Sequence, residues 1–367
     1  MLLMKHVLLA LFTLVFMDAC AQAVGLTKKE VVALKKTIAR DTSAQRFYTS
    51  LKRTADNALS EMPDPVDTVV SEGHLITHPK KIRTLQALKD IDKIYALALA
   101  YKVEGHPPYL QQAAAYLSAW ATVNQPRGNP INDSKFEKLF FAYDLLRKDV
   151  PDDQRATIDR WLGKMADEEM RTADRQKKNS FSNWHSHRLK VIGLIAYVLD
   201  HEAYKNYVAE ALPEHIERNL KPDGSGYDFH ERDALHYHVY TLEPMISLAT
   251  VLQRAARKDY YHFTSPSGAS IGKSIDFLIP FVTGEKTHAE YVNSKAAFDK
   301  KRAANKEPGF EIGAPFKPTE GLSVLVQASF FEAGCIDVVR KTMQATGTYP
   351  TWQAVMNGAQ KTAMRRK

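Results

Sequence analysis

Cysteine is nearly absent: Cys20 and Cys335 are the only two in 367 residues. With residues 1–23 removed, Cys335 stands alone, which excludes an intramolecular disulfide even in an oxidising compartment. The fold must then rest on its core, and a chain with 44% apolar and 25% charged residues has the composition for one. Long apolar runs are also missing. The most apolar stretch, Val7 to Met17, is too short to span a bilayer. Strand-type alternation is scarce, and neither a low-complexity linker nor a shift in composition marks a domain boundary. Acidic charge is in deficit, with 50 Lys and Arg against 42 Asp and Glu, a net charge of +8.

What is present begins with an address. "MLLMKHVLLALFTLVFMDACAQAVG" joins an early Lys, an apolar run and the small-residue pattern Ala21-Gln22-Ala23, which predicts a signal peptide over 1–23 and one mature domain over 24–367. Cys20 offers a lipoprotein alternative, but Met17 and Asp18 stand where a lipobox prefers Leu and a small residue. The expected location is periplasmic or secreted. Cleavage would remove Lys5 and Asp18 together and leave the +8 unchanged. An exported basic chain points to an anionic polysaccharide partner; no nucleic-acid motif is present, and a monomer is expected.

Helical periods dominate the chain. Segments 89–105, 109–123, 134–150, 152–176, 187–200, 202–220, 241–258 and 267–284 each carry an apolar face, with short separations that make successive helices antiparallel neighbours. This predicts an all-α fold, an (α/α) toroid with a central cleft, a plain helical bundle being the alternative. Segment 285–321 is the long irregular exception.

Two stretches, "SFSNWHSHRLK" (180–190) and "FHERDALHYHVYTLEP" (229–244), hold five of the thirteen His. As metal ligands, His185/His187 and His236/His238 would need strand geometry, because residues i and i+2 of a helix point about 200° apart. His230-Glu231 is not a zincin motif, since position 234 is Ala. No metal and no cofactor is expected. The better chemistry is acid–base. Abstracting the C5 proton of a uronate requires its carboxylate to be neutralised, a task for Asn and Arg, while Tyr and His move protons.

The same residues carry a resemblance. "NWHSH" followed by a helix, and later "ALHYHVYTLEPM", resemble the alginate lyase superfamily of polysaccharide lyases, in particular families 5 and 38, which act on alginate or glucuronan. The family 5 runs are Asn-Asn-His-Ser-Tyr-Trp and Arg-Ala-Leu-x-Tyr-His-x-Tyr-x-Leu. "KIYALALAYKVEG", "AYDLL" (142–146) and "EYVNSKAAFDKKR" (290–302) extend the likeness over most of the mature chain. The resemblance implies catalytic roles for Asn183, His185, Arg232 and Tyr240. His185 falls on the family His, and Tyr240 on the proton donor, with the base role open to it too. Trp184 replaces the second Asn. The family Arg falls on Asp233, leaving Arg232 one residue early. His187, Arg188, Tyr237, His238, Trp184 and Arg83 are expected to contact substrate.

Each assignment has a plainer counterpart. Asn183 could cap a helix that starts near His185. Were residues 183–187 already helical, Asn183 and His187 would share a face and His187 would be the catalytic imidazole. Tyr237 could be core, His238 a hydrogen-bonded helix residue, and Trp120 and Trp184 core or sugar platforms. Lys80, Lys81, Arg83, Lys295 and Arg302 could be a solvated face. The implied activity is β-elimination on a polyuronate, alginate/polymannuronate or glucuronan, leaving 4,5-unsaturated ends. A lyase on hyaluronan-like chains, a non-catalytic polyuronate binder, and a hydrolase using two of Asp228, Glu231 and Asp233 are the alternatives.

Overall fold

The computed structural model describes residues 24–173 and 180–364; the expected signal peptide, 1–23, lies outside the described residues. Among the described residues there are helices and two isolated bridges, Leu220 with Gly226 and Ala289 with Pro315, but no strand. No helix among them is long and apolar enough to cross a membrane.

Each segment anticipated as a helix carries one among the described residues, with shifted ends. The chain opens with α1 (Lys28–Arg40), α2 (Thr42–Ala58) and the short α3 (Pro79–Ala87). α4 (Lys89–Glu104) stops at Gly105, whose φ of 77° closes it in the left-handed conformation. α5 (Pro107–Val123) restarts on two prolines, at positions where no N–H is needed. After α6 (Pro130–Asp133) come α7 (Glu137–Leu146) and α8 (Asp152–Ala173). α9 (Asn183–Leu199) begins four residues before the apolar period indicates. α10 (Glu202–Asn219) and α11 (Tyr227–Arg232) follow, and α12 (Leu235–Ala256) also begins early. Both early starts are capped from far away: Asn183 N donates to Asp228 (2.8 Å), while Leu235 N and His236 N donate to Glu290 (2.8 and 3.0 Å). A cap supplied by a carboxylate distant in sequence leaves no local signal.

α4, α7, α9 and α12 run side by side in one direction. Asp92 and Tyr95 of α4 meet Lys138 and Phe141 of α7, and His187 and Gly193 of α9 meet Tyr240 and Leu248 of α12. Numbers that rise together mean parallel axes. Gly193 permits the approach, since a Cβ there would overlap Leu248. Parallel neighbours need antiparallel returns, and α5, α8, α10 and α13 (Ile271–Thr283) supply them outside the ring. The result is an (α/α) toroid. α14 (Ala297–Ala304) lies within the irregular 285–321 segment; α15 (Leu322–Ala328) packs on α12 and α16 (Gly334–Met343) on α15; α17 (Trp352–Met364) closes against α1 and α15.

Fully buried Leu97, Leu99, Ile192, Leu194 and Leu248 hold the inner wall together, each burial contributing roughly 1.5–3 kcal/mol. Trp120 belongs to this core; its Nε1 donates to the buried Asp90 (3.2 Å), which removes it as a sugar platform. Inside the ring is a cavity of ≈ 430 Å³ whose lining includes Tyr95, Glu137, Glu243 and Trp352. Glu243 also borders an adjoining cleft of ≈ 470 Å³. The strap at Val24 and Gly25 reaches the opposite end of the cavity: both amides donate to buried Asp144 (3.1 and 2.7 Å), and Arg254 donates to Gly25 O (2.7 Å).

Candidate active site

The site is built where α9 and α12 begin. Asn183 is the first residue of α9 and Ser182 its N-cap, so Asn183 does not cap the helix through its own side chain. Instead the buried Asp228 accepts four hydrogen bonds: from Asn183 N (2.8 Å), Asn183 Nδ2 (2.6 Å), Asn219 Nδ2 (2.9 Å) and Thr241 Oγ1 (2.9 Å). One carboxylate thereby ties α9, α10, α11 and α12 together. Burial raises its pKa, and the donors oppose that rise. Placed this way, the Asn183 amide holds the site in place, and Asp228 is no free partner for a hydrolase pair.

Helix geometry from Asn183 onward separates the two imidazoles. His185 turns to α10 and packs edge-on against His215, ring centroids 4.9 Å apart. His187 turns to α12 and packs on Tyr240, centroids 4.4 Å apart and planes tilted by 46°. The expectation that His185 accompanies Tyr240 is therefore not met; the early helix start brings His187 there instead. His187 is buried, and neither ring nitrogen has a hydrogen-bond partner of ordinary geometry. Burial drives its pKa well below the usual value, Lys190 and Lys135 push the same way, and the Tyr240 main chain opposes them. His185, half-buried, is pushed down to about 4 by burial and by Arg188 and Arg218.

Tyr240 lines the cleft with His236, Val239, Glu243, Pro308, Gly309, Lys317 and Glu320. Burial raises its pKa, Tyr237 and Glu243 raise it further, and Arg302 lowers it. The phenol is thus protonated at neutral pH. Tyr237 is buried beside it, ring centroids 6.3 Å apart, and accepts hydrogen bonds from Arg232 (2.5 Å) and Arg302 (3.1 Å).

Arg232 is less free than the resemblance implies. It forms a two-pronged ion pair with buried Asp299 and lies over the Tyr237 ring at 3.7 Å. It fastens α14 to the site. Asp233, where the family carries Arg, adopts a left-handed conformation (φ 46°) at the end of α11. Its carbonyl accepts Tyr291 N (2.6 Å), and its carboxylate accepts Asn293 N (2.8 Å) and Nδ2 (3.0 Å). The departure from the family pattern is therefore a clasp on segment 285–321. That clasp delivers Arg302, whose guanidinium stacks on Phe298 and Phe310 and whose charge acts on Tyr240.

Several expected contacts lie elsewhere. Arg188 is fully buried and paired with Glu169 (3.0 Å), so no sugar reaches it. Burial and the nearby Glu169 charge raise the pKa of Asp133 far above the usual range. His238 faces the opposite side of α12, fully buried, its Nε2 against Ser274 O (3.0 Å). Each His-x-His pair is accordingly split between helix faces. Arg83 pairs with Asp64 on an exposed face, whereas Lys81, on the other side of α3, acts on Glu307, Arg302 and Glu72. Trp184 is half-buried in the first turn of α9.

Lys135 and Lys190 carried no expectation from the sequence. Lys190, one turn beyond His187, donates to Glu137 (2.5 Å), which also accepts Ser247 Oγ (2.5 Å). Burial raises Glu137, but Lys190 and Ser247 outweigh it and hold its pKa below the usual value. Lys135 is exposed and has no ion-pair partner among the described residues; its surroundings and repulsion from Lys190 and Lys81 lower its pKa, and Glu243 opposes them. Positive charge gathered in this way suits an incoming carboxylate. "SKF", three residues in a 3-10 turn, shows none of this in the sequence.

Comparison with known proteins bears on this arrangement. The family model described as alginate lyase matches residues 27–288. An alginate lyase from Bacteroides ovatus is similar at 17% identity with a TM-score of 0.66, over 92% of this chain and 98% of that one. Alginate lyase A1-III from Sphingomonas species A1 is similar at 16% identity with a TM-score of 0.56, over 82% and 94%. A tyrosine-to-phenylalanine variant of A1-III complexed with a tetrasaccharide gives 16% identity and a TM-score of 0.57, over 72% and 79%. No curated protein sequence matches the chain.

Proposed function

The chain belongs to the alginate lyase family, and from that premise we propose that Tyr240, resting on His187, moves the protons of a β-elimination. The protein is a polysaccharide lyase, a carbon–oxygen lyase cleaving an alginate-type polyuronate into 4,5-unsaturated ends. One observation carries the residue assignment. Tyr240 lines the cleft with no hydrogen-bond partner for its hydroxyl among the described residues, and against it packs a neutral imidazole whose nitrogens have none of ordinary geometry there.

In this mechanism the substrate carboxylate lies among Lys135, Arg302 and Lys317, and their charge makes the C5 proton removable. His187 takes the Tyr240 proton as Arg302 steadies the phenolate. The phenolate abstracts H5, the electron pair forms the C4–C5 double bond, and the C4–O4 bond breaks. Tyr240 then passes the proton to the departing O4, and His187 returns its own, so the pair ends as it began. A single residue serves both steps when H5 and O4 lie on the same side, as in β-D-mannuronate and β-D-glucuronate. Asn183 acts through Asp228, and Arg232 through Asp299, as positioning residues.

We read residues 1–23 as a signal peptide of a periplasmic or secreted monomer. Cleavage after Ala23 would free the Val24 amine 3.1 Å from the buried Asp144 carboxylate, exchanging an amide contact for an ion pair.

Incubation with alginate, polymannuronate, glucuronan and hyaluronan, followed by ultraviolet absorbance and by assay of reducing ends, tests the reading. New absorbance on a mannuronate- or glucuronate-containing polymer supports it. Reducing ends without absorbance would indicate hydrolysis, and neither signal would indicate a binder.

A further inference from the structure

The groove between α1 and α17, remote in its lining from the cleft and the central cavity, has a volume of ≈ 650 Å³. Lys28, Lys29, Lys36 and Arg40 border it. All four are exposed and none has an ion-pair partner among the described residues, whereas Lys52, Lys93, Lys102, Arg147 and Arg171 are each paired. The only carboxylate in the lining, Asp41, already accepts Ser43 Oγ (2.5 Å) and Ala44 N (2.9 Å), and hydroxyls of Ser43 and Thr348 hold its pKa down to about 2. Four cations therefore face one engaged anion.

Lys28, Lys36 and Arg40 share one helical face at axial intervals of about 12 and 6 Å, with Val32 between the first two. These intervals are of the order of one and two sugar residues along a uronate chain. Between the cations, Val32, Ala33 and Ala363 form an apolar floor, and Tyr349 offers an aromatic ring at the wall. Several cations along a shallow apolar floor suit a ribbon of sugar rings with a carboxylate on each. A membrane-facing helix would show large apolar side chains, and this face exposes Val32 alone among them.

We infer that this groove is a second, non-catalytic binding site for the anionic polysaccharide. The inference rests on the reading of the cleft as a polyuronate lyase site, because the occupant is that site's own polymer. Two contacts on one long chain raise its effective concentration at the cleft, an advantage absent for short oligosaccharides.

The test compares the triple variant Lys28→Glu, Lys36→Glu, Arg40→Glu with a control triple, Lys148→Glu, Arg160→Glu, Lys258→Glu, at exposed cations that do not line the groove. Electrophoresis through gels containing polymannuronate, in a Tyr240→Phe background, reports binding without degradation. The groove triple should bind about tenfold more weakly at low salt, the difference shrinking as salt is added, with the control near the parent. In the otherwise unaltered enzyme the groove triple should raise KM on polymer severalfold and leave kcat/KM on a trisaccharide unchanged. Should the reversed charges disturb folding, the neutral triple Lys28→Gln, Lys36→Gln, Arg40→Gln carries the same test with a smaller effect. Equal retardation of groove and control variants would overturn the inference while product absorbance still upheld the lyase reading. Groove-dependent retardation without product on any polyuronate would overturn the lyase reading alone. Unchanged polymer affinity with lost binding to phosphatidylglycerol vesicles would replace the polysaccharide with a membrane surface.

Discussion

The His187 imidazole packs on the Tyr240 phenol at 4.4 Å between ring centroids, while His185 packs on His215 at 4.9 Å and points to another helix. The two imidazoles should therefore differ in consequence. His187→Gln should lower the initial rate of product absorbance about a hundredfold, the usual worth of a proton-transfer partner, and shift the pH–rate profile. His185→Gln should stay within a few-fold of the parent rate. The same assay on both variants checks this, and equal losses would contradict the pairing.

Much of this site was legible in the sequence, though not its registration. The helical periods foretold the ring, and the two His/Tyr runs foretold the meeting of α9 and α12. The choice between His185 and His187 was not legible, because the helix start depends on Asp228, 45 residues away. Arg188 read as a substrate contact, but the fold buries it against Glu169. Lys135 escaped notice because its significance comes from Lys81 and Lys190, which only the fold brings to bear on it.

The two groups of cations should separate kinetically. Lys135→Met should lower kcat/KM on polymer at least tenfold with little change in melting temperature, since its side chain supports no other residue. Arg232→Met should act through structure, leaving buried Asp299 unpaired at a cost of about 3 kcal/mol and loosening segment 285–321. Melting curves beside steady-state kinetics distinguish the two patterns.

Asp228 joins four helices through four donors, so Asp228→Asn places an amide where only acceptors are wanted. Denaturant unfolding should show a loss of about 2–3 kcal/mol. Loss of activity should accompany it, because α9 no longer presents His187. A variant with full stability and full rate would remove the hub role.

Buried imidazoles set one limb of the pH dependence of stability. His238 is pushed down to about 4, mainly by burial, so between pH 4 and 6.5 the unfolded chain binds a proton that the folded chain does not. Stability must then fall as pH falls through that window. The raised carboxyls of Asp133, Asp228 and Glu169 slope the other way, so the variant is more informative than the parent. His238→Gln should flatten the dependence by about 1.4 kcal/mol per pH unit, as read by urea titrations across the window. An unchanged slope would mean that His238 protonates in the fold.

The most direct measurement is the ultraviolet absorbance of product formed by Tyr240→Phe, alongside its equilibrium binding to the same polyuronate. Removing one oxygen leaves the ring packed on His187 and the cationic cleft intact. The expected outcome is a loss of rate of at least a thousandfold with polymer affinity within about twofold of the parent. A variant that binds polymer and still forms unsaturated product at the parent rate would contradict the assignment of Tyr240 as the proton carrier.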